Sequence, residues 1–106
     1  MNKLTITIIS PEIKISKATE IFLNLVNKKE TQEDWECISH RAFVKNRLIN
    51  RVYVFQNIKT NEIHELELIN DDYQAIQGRK FDNVIYLGST LTEAVKRRTL
   101  GNLIIL

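Results

Sequence analysis

Residues 4–9, Leu-Thr-Ile-Thr-Ile-Ile, alternate apolar and threonine positions before closing on two isoleucines. That β-branched run predicts a strand of a covered sheet, and Pro11 ends it. From Ser16 to about Lys29 the period changes. Ala18, Ile21, Phe22, Leu25 and Val26 fall on one stripe while Lys17, Glu20, Asn24, Lys28 and Lys29 point away, which predicts a helix packed by one face. Trp35–Ser39 reads as a second strand. His40–Asn50 is ambiguous: His40, Phe43, Val44, Arg47 and Leu48 sit at helical spacing, against a β-branched content that favours extended chain.

The clearest local pattern is a hairpin. Arg51–Gln56 is β-branched and aromatic, 57–61 supplies turn residues, and 62–69 places His64, Leu66 and Leu68 opposite Glu65 and Glu67. One face of that second strand is expected to be buried and the other wet. Asn83–Leu87, bounded by Asp82 and Gly88, suits a central parallel strand. A helix follows, with Thr90 and Glu93 at capping-box spacing, Leu91, Ala94 and Val95 as its apolar side, and Gly101 at its C-terminal cap. Leu103–Leu106 predicts a last strand, lying inside the sheet or in an interface. This order predicts an α/β fold: a small mixed sheet of about five strands, including a β-hairpin, with two or three packed helices in one domain, 1–106.

The same order carries a resemblance. Residues 4–26, "LTITIISPEIKISKATEIFLNLV", resemble the strand and helix that follow the nucleotide site in phage large-terminase and helicase-type P-loop ATPases. Residues 52–89, "VYVFQNIKTNEIHELELINDDYQAIQGRKFDNVIYLGS", are similar to that family's hairpin, its R-G-x-x-F-D segment and the strand that carries the Walker B acids. The resemblance implies an ATPase core that kept its sheet and lost its site. No G-x-x-x-x-G-K-[ST] run exists to wrap phosphates with backbone N–H groups, and the strand of residues 84–87 ends in Gly88-Ser89 rather than in Mg²⁺-binding acids. ATP hydrolysis is therefore not expected.

Composition narrows the classes further. At 106 residues, 43% hydrophobic and 26% charged, the chain is an ordinary globular domain, and no stretch has the apolar length to cross a bilayer. Three glycines and one proline leave little for long loops. The single Cys37 forbids an internal disulfide, and the N-terminus carries no secretory pattern, so a cytoplasmic setting is expected. Fifteen isoleucines and ten asparagines give the bias of an AT-rich, phage-like genome.

Catalytic constellations are sparse. Cys37 and His40 are three apart, but with His64 they are too few for a four-ligand zinc site, and the plain alternative is a strand cysteine beside a surface histidine. No glycine lies near Cys37 to form an oxyanion turn. Glu65/Glu67 and Asp71/Asp72 are paired carboxylates suited to Mg²⁺ or proton transfer. Alternatively the first pair is a solvated sheet face and one aspartate an N-cap. No enzyme activity and no cofactor is expected.

Net charge is only +2, but it is segregated. Arg41, Lys45, Arg47 and Arg51 form one acid-free run, Lys96, Arg97 and Arg98 a second, with Arg79-Lys80 between. Glu62, Glu65, Glu67, Asp71 and Asp72 form a cation-free run. The cations suit a nucleic-acid backbone, with Trp35 or Tyr53 for stacking; otherwise they are solvated surface and helix-dipole partners. The acids could mimic phosphates in a basic groove of another protein. These features predict a non-enzymatic phage-type interaction protein that binds and inhibits a nucleoprotein machine, such as a CRISPR-type defence complex. A nucleic-acid-binding accessory protein is the second reading, an enzyme with an unrecognised site the third. Edge pairing through 62–69 or 103–106 is the expected route to a homodimer.

Overall fold

The structure is a computed structural model that describes residues 3–45 and 48–106. Six strands form one mixed sheet: β1 (Lys3–Ser10), β2 (Trp35–Lys45), β3 (Leu48–Asn57), β4 (Ile63–Asn70), β5 (Asn83–Tyr86) and β6 (Leu103–Ile105). Their order is β2-β3-β4-β1-β5-β6. The half from β4 to β6 is parallel, and β2-β3-β4 is an antiparallel meander. Helices α1 (Ile15–Glu30), α2 (Tyr73–Ile76) and α3 (Thr92–Arg98) complete the α/β fold, with a 3₁₀ turn over Glu12–Lys14.

Consecutive residues of the central strands feed different cores. Ile8, Leu68 and Leu87 pack with Ala18, Phe22 and Val26 of α1. Ile9, Ile69 and Tyr86 pack with Ile76 of α2 and Val95 of α3. Because side chains alternate across a strand, α1 must lie on one face and α2 and α3 on the other. Burying both faces explains why the alternation in β1 closes on two consecutive isoleucines, Ile8 and Ile9, within residues 7–10, which are all buried.

Three expectations change. His40–Lys45 is strand, because it continues the β2–β3 ladder past an irregularity between Cys37 and Ser39, and the His40 ring stacks on Tyr53 at 3.9 Å. Cross-strand pairing outweighs the helical spacing. The capping box is not formed: α3 starts at Thr92, whose Oγ1 donates to the Ser89 carbonyl, with no side-chain cap at Leu91. Gly101 lies beyond the helix cap at Thr99; a Cβ there would sit 2.5 Å from the Asp82 carbonyl oxygen that its N–H reaches at 2.7 Å. Its role is close backbone approach.

Among the described residues, no helix is long and apolar enough to cross a membrane.

Candidate functional site

Each acid of 62–72 has a neighbour within the fold, and Glu65 and Glu67 are drawn inward. β4 lies between β3 and β1, so its backbone edges are both occupied and it offers no edge to a second copy. Its polar face is not wet. Glu67 is 5% exposed, and its Oε1 accepts from Thr7 Oγ1 at 2.9 Å and from the Arg79 guanidinium. Glu65 pairs with Lys3 at 2.8 Å, a contact that raises the Lys3 pKa. Glu62 lies 3.6 Å from His64 Nε2. Asp72 caps α2 by accepting from the Gln74 N–H at 2.8 Å. Asp71 accepts from the Tyr86 hydroxyl at 2.9 and 3.0 Å. The expected strip of uncompensated acids is thus a row of separate internal contacts.

Asp71 stands where the loops after β1 and β4 depart toward opposite faces, the position at which α/β sheets commonly open a ligand crevice. Here a lock occupies it. The Leu91 N–H donates to the Tyr86 hydroxyl at 3.0 Å, and that hydroxyl donates onward to Asp71. Burial, with the Asp71 carboxylate adding to it, pushes the Tyr86 phenol up to about 12, and burial raises the Asp71 carboxyl against the opposing pull of that hydrogen bond. Gly88 makes room: a Cβ there would fall 2.0 Å from Asp71 Oδ2 and 2.7 Å from Tyr86 Oη.

A second polar cluster sits at the far end of α1. Lys29 Nζ lies 2.8 Å from His64 Nδ1 and 3.8 Å from the centroid of the Trp35 ring, which itself packs tilted against His64 at 4.3 Å. Burial and the neighbouring Lys29 charge lower the His64 pKa, and burial lowers that of Lys29. His64 is then neutral at pH 7, with Nδ1 accepting from the ammonium. Trp35 and Tyr53 are thereby engaged within the fold.

The first basic run is not one face. Arg51 lies over the Phe22 ring at 5.6 Å, on the α1 side, together with Tyr53 and its stacked partner His40. Arg41, one residue on from His40 and paired with Val52, is on the opposite side. Lys45 ends β2, and Arg47 lies outside the described residues. The second run is brought together with residues that the linear reading left aside. The Phe81 N–H donates to the Arg98 carbonyl at 2.8 Å and the Leu100 N–H to the Phe81 carbonyl at 2.7 Å, tying 79–81 to the end of α3. Gly78, Arg79, Lys80, Arg97 and Arg98 then line an open hollow of about 370 Å³. Lys96 turns aside toward Glu93 at 3.6 Å.

The last strand was expected inside the sheet or in an interface. It is not inside: β6 is the edge of the sheet, with Ile104 53% and, just past it, Leu106 59% exposed. On the α1 side of β1, β5 and β6, an apolar trough of about 320 Å³ is lined by Leu4, Ile6, Ile85 and Ile104. Helix α1 packs against β1, β4 and β2, and so covers the other half of that face. Leu4 and Ile6 continue into a smaller hollow beside Leu25, Lys28 and Lys29. At the opposite end Leu87 and Leu106 meet Lys14 and Lys17. Positions 14, 17, 21, 25 and 28 recur at helical spacing, so Lys17 and Lys28 share one flank of α1 with Ile21 and Leu25, and Lys14 at its N-terminus leads into that flank.

The signal for the trough was present in the apolar run at 103–106. For the hollow it was the Arg79-Lys80 pair, whose partner segment only the tertiary hydrogen bonds identify. Cys37 is exposed, and among the described residues no group of three or more His, Cys, Asp or Glu side chains forms a metal cluster. No family model matches the chain, and no curated protein matches it.

Proposed function

We propose that the chain is a non-enzymatic interaction protein that docks on a protein component of a host or phage nucleoprotein machine, such as a nuclease-based defence complex, and inhibits it. The observation that carries this reading is the half-covered sheet. A parallel sheet normally has helices on both faces, yet the Leu4–Ile6–Ile85–Ile104 floor has none. Such a rimmed apolar surface is characteristic of an interaction site. Lys28 lines the hollow that continues from it through Leu4 and Ile6, Lys14 and Lys17 line another beside Leu87 and Leu106, and among the described residues none of the three has an ion-pair partner. The charge pattern selects the occupant: an amphipathic helix of the partner with an acidic flank. A second copy would set lysine against lysine. The acidic run 62–72 is not given this contact, since Glu65 and Glu67 are paired with Lys3 and Arg79 and Asp71 is held by Tyr86.

The test is affinity capture from host or infected cells with the wild-type chain, an Ile85→Asp/Ile104→Asp variant, and a Glu62→Lys variant as the acidic-run control. The expected result is a nucleoprotein component retained by wild type and by Glu62→Lys and lost by the trough variant. Equal capture by all three, capture of nothing but the chain itself, or loss only with Glu62→Lys overturns the reading.

A further inference from the structure

We infer that the hollow between the α2–β5 loop and the end of α3 is a binding site for the phosphate backbone of a nucleic acid. Four cations converge there, and only Arg79 is neutralised, by Glu67. Arg98 Nη1 reaches the Ala94 carbonyl at 3.3 Å, a contact that leaves its charge uncompensated. Lys80 and Arg97 are exposed, and among the described residues neither has an acidic partner. Three positive side chains therefore face one open concavity.

The arrangement is fixed by the fold. Phe81 and Val95, both buried, anchor the two segments that carry the cations, and the two backbone hydrogen bonds through Phe81 hold them side by side. Gly78, at φ 74°, turns the chain at the rim, and nothing lies within 4 Å of where its Cβ would be, so the entrance stays open. The lining includes no aromatic or aliphatic side chain. A protein partner needs an apolar centre to bury, as the trough on the other face provides. A run of phosphates needs only guanidinium and ammonium donors, with the arginine forks matching pairs of phosphate oxygens. The pairing of Glu65 with Lys3 and of Glu67 with Arg79 weakens the repulsion that a wet acidic hairpin would exert on such a ligand.

The experiment is fluorescence anisotropy of a labelled DNA duplex of about 20 base pairs, titrated with the full chain between about 50 and about 200 mM salt. Three phosphate contacts predict a slope of log K against log salt near about −2.7, or about 40-fold weaker binding across that range. A Lys80→Ala/Arg97→Ala variant should bring the slope to about −0.9 and weaken low-salt binding at least about tenfold. Both residues are exposed, so an unchanged thermal melt is expected and confirms that the variant is folded. Lys80→Arg/Arg97→Lys should restore binding, and Lys17→Ala/Lys28→Ala on the opposite face should leave the slope within about 0.5 of wild type. A slope near zero overturns the inference, as does equal loss in the trough and hollow variants. Equal affinity for poly-glutamate at matched salt also overturns it, in favour of an acidic protein surface. Because the readout is DNA alone, its failure leaves the docking proposal standing, and the converse holds.

Discussion

Gly88→Ala tests the lock at the switch between β1 and β4. The backbone there needs no left-handed conformation, so the usual expectation for a glycine outside an element is a gain of about 0.4–1 kcal/mol from a less flexible unfolded chain. The surroundings reverse the sign. The new methyl would lie 2.0 Å from Asp71 Oδ2 and 2.7 Å from Tyr86 Oη, so the carboxylate must swing away and the phenol must shift. Swinging Asp71 breaks both contacts to a residue that is 0% exposed. Losing a hydrogen bond to a charged acceptor costs about 1.5–3 kcal/mol, and overpacking adds about 1–3. The expected loss is about 3 kcal/mol in urea unfolding followed by circular dichroism. In an Asp71→Ala/Tyr86→Phe background both obstacles are gone, and the same substitution should be neutral or stabilising by up to about 1 kcal/mol. The difference between the two backgrounds is a coupling of about 3 kcal/mol. A Gly88→Ala chain within about 0.5 kcal/mol of wild type, or equal costs in both backgrounds, refutes the lock.

Arg79→Ala strands the buried Glu67 carboxylate on Thr7 alone; Arg79 is itself 37% exposed, so the expected loss is about 2 kcal/mol rather than the 3–5 of a fully buried pair, recovered in part by Glu67→Gln in the same chain, as read by denaturant midpoints. Phe22→Ala removes a ring that is 0% exposed at the centre of the α1 core and should cost about 3–5 kcal/mol in the same assay. Because the folded His64 pKa is lowered, the unfolded chain binds the extra proton, so wild-type stability should fall as pH drops from about 6.5 toward that lower folded value; His64→Gln should flatten this slope in melts between pH 7 and 5. Asp71 acts with the opposite sign. Its raised folded pKa makes stability decline as pH rises from about 4 toward that value, a decline that Asp71→Asn should abolish.

Much of the fold is legible in local pattern. The α1 stripe appears at residues 18, 22 and 26, all buried, and Asp72 caps a helix as the Asp-Asp pair suggested. The meander is less so, because residues 40–45 fall in a stretch with a helical period while Tyr53, Val52 and their neighbours in β3 hold them extended from across the ladder. The acidic face of β4 misleads for a related reason. Alternation in 63–70 looks like a strand with one wet side, but β1 alternates in step with it, Thr5 opposite Glu65 and Thr7 opposite Glu67. Two aligned polar rows in neighbouring strands mark a covered polar seam, and the cover, Arg79, comes from beyond β4. No window of local sequence contains all three strands of that argument.

The seam also decides how the charges are to be read. In linear order the chain is polarised between cations at 41–51 and acids at 62–72. In three dimensions Arg41 and Arg51 are divided between the two faces, and the acids are engaged by Lys3, His64, Arg79 and Tyr86 or by a helix cap. Cations without an acidic partner among the described residues gather in two of the surface hollows, Lys14, Lys17 and Lys28 beside apolar side chains on the α1 side and Lys80, Arg97 and Arg98 on the other face. A net charge of +2 therefore understates the field that a polyanion meets at either surface. The two surfaces differ in the one property that separates protein from phosphate partners. The first is lined by aliphatic side chains and the second by none, its apolar surface being the stems of its cations. Under the two proposals together, opposite faces of one sheet would hold a protein and a nucleic acid at once, an arrangement suited to a subunit that must sit on a nucleoprotein assembly.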